Sequence, residues 1–480
     1  MTIFGNTLSL TMTVDELHRA WAKLDQLERQ ERYLVEMLSD IHKEIKIQKL
    51  KIDHPVKARP PAVDRLPTEL LSQVFTLCIP DPKFPEKPLH QIVSVSRRWR
   101  DVVWNNPSFW TSIKVTPDQG KKLLKKQLKR SCKAMLDIWI EDWDEDQDED
   151  REYVYVKFHA LLDAIIPHAN RWRSLIISNS MDSEFMESIL TKISHLSIPF
   201  LKKFTMDVWD EFNSPPYLDF LSPIRVPALQ HLTLGSPFQL DNFVAPPTLK
   251  TLYLTFAQPE ADNPPPVISM LTPAQSLTSL ILDGDSTGWS FKRNDLHSPL
   301  LEELTLYVDN LVPFLEAIVA PKLRYVQCRF GGPVEFDIIE GKFTDVHDIS
   351  LEFSNRIDVQ GAESLCRAFP GVRRVHLSAW GTSFFMAGIH GPGVLERRPP
   401  IDQWLNLETV TLDGLGRQWL KLWELGDDPI VKWLRGRQES GLSRLRVKLP
   451  LIRADENGLI PIYYTLLERH CNLETFTSPT

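Results

Sequence analysis

The sequence predicts an α/β chain that changes character twice: a long N-terminal helix, then a small helical unit, then an irregular repeating array of strands and short helices. Three observations predict it. Residues 13–52 carry apolar side chains at alternating steps of three and four within a charged stretch, which marks a helix with a narrow apolar stripe. Residues 66–110 hold two short apolar patterns at helical spacing, separated by a proline-rich loop. From about residue 135 one pattern recurs to the end: apolar, two others, apolar, one other, apolar.

In the first segment the stripe runs Val14, Leu17, Trp21, Leu24, then Leu27, Leu34, Leu38, Ile41, Ile45 and Ile52. Glu31 and Gln48 occupy two seam positions, and the step from Leu24 to Leu27 breaks phase. A narrow seam in a polar helix predicts a coiled coil, and with it a homodimer through residues 13–52. The alternative is an amphipathic helix docked on the rest of the chain. Residues 53–64 read as a proline-rich linker.

The second segment opens Leu66-Pro67-Thr68-Glu69. Pro67 suits the first turn of a helix, where its missing N–H costs nothing. Leu70, Leu71, Val74, Phe75 and Cys78 follow at helical spacing. After the loop, Leu89, Ile92, Val93, Ser96, Trp99 and Val103 predict one second helix, which Asn105-Asn106-Pro107 stops and Phe109-Trp110 follows. So small a unit carries more apolar surface than it can bury alone, and it must lean on a neighbour or a partner.

At Leu66, Pro67, Glu69, Leu70, Val74, Phe75, Val95, Arg97, Trp99, Arg100, Pro107 and Trp110 the chain resembles the F-box. Ser96 stands where that family often has Cys, and Phe109 where it often has Leu. The loop at residues 80–88 is longer than the usual connection and is similar to that of the F-box-like proteins expanded in fungi. The resemblance covers residues 65–113 and implies docking to the Skp-type adaptor of a Skp–cullin–F-box ubiquitin ligase. The adaptor contacts it implies are Leu66, Pro67, Leu70, Leu71, Val74, Phe75, Val95, Trp99 and Trp110. In the competing expectation the segment packs internally, and the chain is a coiled-coil scaffold that never meets a cullin.

The recurring pattern of the third segment appears as Trp172-Leu175-Ile177, Leu201-Phe204-Met206, Leu229-Leu232-Leu234 and Leu249-Leu252-Leu254. It continues as Leu277-Leu280-Leu282, Leu301-Leu304-Leu306, Leu323-Val326-Cys328, Val346-Ile349-Leu351, Val372-Val375-Leu377, Leu407-Val410-Leu412, Leu442-Leu445-Val447 and a terminal Leu473-Phe476. Leu136, Ile138 and Ile140 suit an opening half-repeat. The last two apolar residues of each unit lie two apart, so they face one side of a strand while the residue between them faces the other. One strand with one short helix cannot bury its own face, so neighbouring units must stack. The spacing resembles the leucine-rich repeat, and residues 114–480 are expected to form an irregular solenoid of that kind. The Asn or Cys usual three positions after the last Leu is replaced by Pro237, Ala257, Asp285 and Asp309. Recurrence of one unit with short connections argues against a doubly wound sheet.

A solenoid of this type would bind its target on the strand face, at the residues between the paired apolar positions. That stripe runs Thr205, Thr233, Tyr253, Ile281, Thr305, Gln327, Ser350, His376, Thr411 and Arg446. Late in the chain Arg374, His376, Arg444, Arg446 and Lys448 cluster, which would suit an acidic or phosphorylated segment. The candidate target contacts are therefore Tyr253, Gln327, Arg374, His376, Arg444 and Arg446. The target itself is unknown, and strand propensity alone explains Thr and Tyr equally well.

Composition excludes several classes. The net charge of −8 argues against general nucleic-acid binding. No apolar run reaches membrane-spanning length, and the opening MTIFGNTLSLTM lacks the features of a secretory signal. The five cysteines are widely separated, without a Cys-x-x-Cys pair, which suits free thiols in a cytoplasmic or nuclear protein and no zinc site. The acidic run at residues 141–152 reads as a solvated loop, and the basic stretch 121–130 as a solvated connecting helix.

No catalytic constellation, metal site or cofactor site emerges. Gly284-Asp285-Ser286-Thr287-Gly288 matches the nucleophile elbow of hydrolases but lacks a convincing helix after it, and turn chemistry accounts for the same residues. Gly388-Ile389-His390-Gly391-Pro392-Gly393 lacks the Lys and Ser/Thr of a phosphate loop. The expectation is a non-catalytic substrate receptor.

Overall fold

The computed structural model describes residues 13–58, 62–79, 86–143, 151–178, 181, 183–206, 218–237, 243–256, 267–330, 336–353, 359–378, 385–386, 399–413, 428–451 and 459–477. Most of the acidic run, residues 80–85 of the proline-rich loop and the glycine-rich segment at 388–393 lie outside them. The fold is mixed α/β: a long N-terminal helix and short helices precede an open parallel sheet.

Helix α1 spans Val14–Ala58. Its start is written in Thr13-x-x-Glu16: the Thr13 N–H donates to Glu16 Oε2 (2.9 Å), and the Glu16 N–H is held by Thr13 Oγ1 (3.4 Å). This reciprocal pair satisfies two backbone donors that a helix terminus otherwise leaves open. Every side chain described from Thr13 to Ile52 is exposed. The helix continues beyond the expected end at Ile52, so residues 53–58 are helical and not linker; a 3₁₀ turn, Ala62–Arg65, follows.

A further correction concerns the small helical unit. Helix α2 is Thr68–Leu77, with Pro67 at the N-cap and the Leu71 N–H bonded to the Pro67 carbonyl (3.0 Å). The single second helix expected at residues 89–103 is two, α3 (Glu86–Val95) and α4 (Arg97–Asn105). Ser96 separates them, its hydroxyl accepting the Trp99 N–H (3.1 Å) as a helix N-cap does. Apolar spacing carries on across Ser96 and hides the break.

The chain divides into two compact bodies. The first contains α1, α2 and Ser94–Val102; the second contains the α3 residues up to Val93 and everything described from Val103 onward. In the first body the Phe75 and Trp99 rings pack with centroids 4.8 Å apart, and the Arg98 guanidinium donates to the Leu66 carbonyl.

In the second body a 3₁₀ turn, Pro107–Trp110, follows α4, and Asn106 Oδ1 caps it by accepting the Ser108 N–H (3.1 Å). The sheet then begins one strand earlier than expected. Strand β1 is Ser112–Val115, helix α5 is Lys121–Arg130 and β2 is Leu136–Ile140. Helix α6 (Arg151–Ile165), β3 (Trp172–Ile177), α7 (Ser183–Ile193), β4 (Lys203–Met206), β5 (His231–Pro237) and β6 (Thr251–Phe256) follow. Next come α8 (Val267–Leu271), β7 (Ser279–Gly284), β8 (Leu296–His297), β9 (Glu303–Val308), α9 (Val312–Ala317) and β10 (Ile318–Val319). The rest are β11 (Tyr325–Phe330), β12 (Asp348–Phe353), α10 (Val359–Ala368), β13 (Arg374–Leu377), β14 (Thr409–Leu412), α11 (Pro429–Glu439), β15 (Arg446–Pro450), α12 (Leu459–Glu468) and β16 (Asn472–Phe476).

Among the described residues fourteen strands form one open sheet in chain order, β8 and β10 pairing separately, and every pairing is parallel. The register aligns the recurring pattern. Leu232, Leu252, Leu280, Leu304, Val326, Ile349, Val375 and Val410 stand side by side in one buried row, and Leu234 through Leu412 in a second. The opening apolar residue of each unit, such as Leu229, Leu277 or Leu323, is buried beneath them. The last full unit departs from this frame. Leu442 is 45% exposed, and β14 pairs Thr409 with Arg446 and Thr411 with Lys448. Lys448, not Arg446, therefore continues the central row of the strand face, a shift of two residues from the sequence expectation.

Two local devices hold the second body. Gly284 adopts φ +99°, and a Cβ there would lie 2.1 Å from the Phe256 carbonyl oxygen, so the turn after β7 requires glycine. Ser286 is buried, and its hydroxyl accepts the Asn310 N–H at 2.7 Å; the motif reads as a turn bracing the next loop. Further on, Asp402 accepts from Trp433 Nε1 (3.0 Å) and from Arg437 Nη1 (2.6 Å), tying the turn Pro400–Gln403 to α11 through a buried ion pair. Removing one member leaves a buried charge alone, which costs roughly 3–5 kcal/mol. Asp402→Ala is expected to lose about that much stability, measured by urea unfolding monitored through tryptophan fluorescence, whereas Asp25→Ala on exposed α1 changes nothing measurable.

Candidate functional site

Two surfaces offer themselves for partner binding, and each is described within its own body. On α2 the sequence places two adjacent apolar stripes, Leu70-Val74-Leu77 and Leu71-Phe75, both at helical spacing. Leu71 and Phe75 are fully buried, with Phe75 against Trp99. Leu70 is 46%, Val74 44% and Leu77 85% exposed, and Val95 in the same body is 60% exposed.

The nine residues expected to meet an adaptor thus divide. Leu70, Val74 and Val95 present apolar surface, Pro67 is exposed, and Leu66 and Trp99 are half-buried. Leu71 and Phe75 face inward and shape the helix without offering surface of their own. Trp110 lies in the second body, donating Nε1–H to the Val103 carbonyl (3.0 Å) under the Arg130 guanidinium, 4.5 Å from the ring centroid. Leu77 belongs with the exposed set and was missed; its position seven residues after Leu70 was the available signal.

The second surface is the strand face opposite the buried rows. Its central row runs Tyr253, Ile281, Thr305, Gln327, Ser350, His376, Thr411 and Lys448. Parallel strands about 4.8 Å apart bring these side chains into ladders. Tyr325 donates its hydroxyl to Gln327 Oε1 (2.9 Å), and Gln327 Nε2 donates to the Tyr307 hydroxyl (2.6 Å) and to Glu352 Oε1 (2.9 Å). The Arg329 guanidinium lies over the Tyr307 ring, 4.3 Å from its centroid, with Nε 3.3 Å from Glu352. Burial, then the Glu352 charge, pushes the Tyr307 hydroxyl up to about 12, so it stays protonated while accepting from Gln327. Beside this network Tyr325, Asp348, Ser350, Arg374, His376 and Lys448 rim an open depression of ≈ 230 Å³.

The late basic cluster is not free. Arg374 forms a two-pronged pair with Asp348, which raises its pKa through hydrogen bonding and charge. Arg446 and Lys448 share Glu474 (3.1 and 3.3 Å), and His376 Nε2 lies 3.9 Å from Asp413. Arg444 is not on this face: it precedes β15, donates to the Glu468 carbonyl and lines a separate cavity beside α11. Tyr253 and Gln327 sit on the face as expected, with the Tyr253 hydroxyl donating to Asp283 (3.2 Å).

Residues 63–116 match the family model described as F-box-like, so the chain carries an F-box-like domain there. No curated protein matches the chain. No helix among the described residues is long and apolar enough to cross a membrane.

The division of α2 is directly testable. Phe75→Ala removes a fully buried ring and is expected to cost about 3–5 kcal/mol. Leu77→Ala is expected to change stability by less than about 0.5 kcal/mol. Thermal melting of the two variants side by side checks both.

Proposed function

We propose that this chain is a non-catalytic substrate-recognition subunit of a Skp–cullin–F-box ubiquitin ligase, working in the cytoplasm or nucleus. The observation that carries the proposal is the F-box-like match at residues 63–116 together with the apolar surface left open there by Leu70, Val74, Leu77 and Val95. F-box domains generally bind Skp-type adaptors, and solvent-facing leucine and valine at helical spacing are the chemistry such a contact uses. Completing the burial of these four side chains is worth on the order of 5 kcal/mol. A micromolar complex needs about 8 kcal/mol. The adaptor interface therefore extends onto neighbouring residues such as Pro67 and Leu66.

In this reading the parallel strand units are an irregular leucine-rich-repeat solenoid, and the strand face from Tyr253 to Lys448 holds the target. The hydrogen-bonded platform of Tyr307, Tyr325, Gln327, Arg329 and Glu352 supplies rigid aromatic anchors of the kind that dominate interfaces. Because Arg374, Arg446 and Lys448 are already paired with Asp348 and Glu474, the acidic-target expectation has no free cation on this face among them.

A second reading rests on α1, whose seam is exposed throughout its described side chains: a coiled-coil homodimer through residues 13–52 that acts as a scaffold. Adaptor co-purification separates the two. Tagged protein is expected to retain a Skp-type adaptor, and Leu70→Asp/Val74→Asp to lose it while melting within a few degrees of wild type. If wild type captures no adaptor, the ligase reading fails. Light scattering reads the dimer independently: Leu34→Lys/Ile41→Lys is expected to halve the mass of a dimeric wild type, and a monomeric wild type removes the coiled coil.

A further inference from the structure

We propose that the exposed face of α5 is a docking surface for an extended acidic segment of a partner protein. Helix α5 turns Leu124, Gln127 and Leu128 into the second body, where the Gln119 side chain donates to Gln127 Oε1 (3.3 Å). With that face fixed, Lys121, Lys122, Lys125, Lys126 and Lys129 all stand in solvent. Arg130 ends the helix differently. Its guanidinium lies over the ring of Trp110, 4.5 Å from the centroid, and over exposed Trp104 at 5.2 Å. Ring contact uses the faces of a guanidinium and leaves its N–H fork for a carboxylate.

The helix is assembled against its own electrostatics. Gly120 supplies no side-chain cap, and the first turn holds Lys121 and Lys122 with no acid, at the end where the helix dipole is already positive. Lys121, Lys122, Lys125 and Lys126 each have another cation four positions on, a spacing at which like charges destabilise a helix. Elsewhere lysine meets a carboxylate: Lys114 pairs with Glu141, Lys192 with Asp163 (2.7 Å) and Lys43 with Asp40 (2.8 Å). Among the described residues none of the six α5 cations forms an ion pair, and exposed Asp118 just before the helix forms none either. A face that is merely solvated needs polar residues, not a single sign. An acidic ligand removes the repulsion that the fold leaves standing.

Spacing identifies the kind of ligand. Lys121-Lys125-Lys129 and Lys122-Lys126-Arg130 form two rows that advance about 6 Å per step. An extended peptide presents every second side chain on one side at intervals of about 6.6 Å. Alternating carboxylates therefore keep step with a lysine row along this helix. Salt confines the attraction to about 8 Å at physiological ionic strength, so a short segment is governed by the local cations. A polynucleotide or a membrane plane runs past the helix and meets a chain of net charge −8.

The test uses the full-length protein and a fluorescein-labelled peptide of alternating glutamate and serine, followed by fluorescence anisotropy at fixed low ionic strength. Wild type is expected to bind it and to ignore the same peptide with glutamine in place of glutamate. Lys121→Gln/Lys125→Gln/Lys129→Gln is expected to weaken binding about tenfold, three exposed contacts each worth about twofold. It should melt no lower than wild type, because repulsion along the row is relieved. Arg130→Lys, which keeps the charge without the fork, is expected to weaken binding about threefold. Lys46→Gln/Lys49→Gln/Lys51→Gln on α1 makes the same change in net charge and is expected to bind as wild type does; an equal loss there overturns the site. Tighter binding of an oligothymidylate, or of phosphatidylcholine vesicles containing phosphatidylserine, overturns the choice of a peptide. No binding by wild type overturns the proposal, and binding gained only in Asp144→Asn/Asp146→Asn/Asp148→Asn assigns the face to the chain's own acidic run instead of a partner.

Discussion

Parallel, in-register pairing of each strand with the next one in the chain is the constraint on which the rest of the second body depends. A strand of the pattern apolar–x–apolar exposes one greasy edge that its own unit cannot cover. The following strand covers it, because Leu252, Leu280, Leu304 and Val326 arrive at the same height. Period-two alternation then dictates the other face without further choice. Once Leu304 and Leu306 point inward, Glu303, Thr305 and Tyr307 must point outward. A slip of one residue would turn those three inward and expose two leucines, so the outward strand face and the core are one decision.

The same stacking turns one-dimensional spacing into lateral ladders. Asp348 beside Arg374, Glu474 beside Lys448 and Glu352 beside Arg329 are each partners in register. Pairs on an exposed face contribute little stability, about 0–1 kcal/mol each. Their effect is to cancel charge locally. On the last strands they also keep the end of the sheet polar, which discourages strand addition. A basic run in the sequence therefore becomes a locally neutralised surface in the fold.

How much of this is legible from sequence follows from which interactions are local. The strand rows are legible because a period of two needs only near neighbours, and the start of α1 because Thr13 and Glu16 cap each other three residues apart. The break at Ser96 is not legible, because Ile92, Ser96 and Trp99 keep helical spacing while the Ser96 hydroxyl quietly caps a new helix. Leu442 misleads for a similar reason: with Leu445 and Val447 it imitates the unit, yet the register is chosen by Val410 and Leu412 on the neighbouring strand. The partnering of Arg374 and Arg446 is likewise invisible, since Asp348 and Glu474 are 26 and 28 positions away.

Helix α2 shows where sequence reasoning necessarily stops and what structure adds. Leu70-Val74 and Leu71-Phe75 are equivalent stripes one residue apart, and no local rule ranks them. Packing ranks them, because only one stripe can face Trp99 at 4.8 Å. The other is left in water at a cost that a helix of this length does not recover by itself. An amphipathic helix needs one apolar stripe to fold. Two stripes, one satisfied inside the chain and one extended by Leu77 into solvent, are the arrangement of a helix that folds against its own body and keeps a second face for something else.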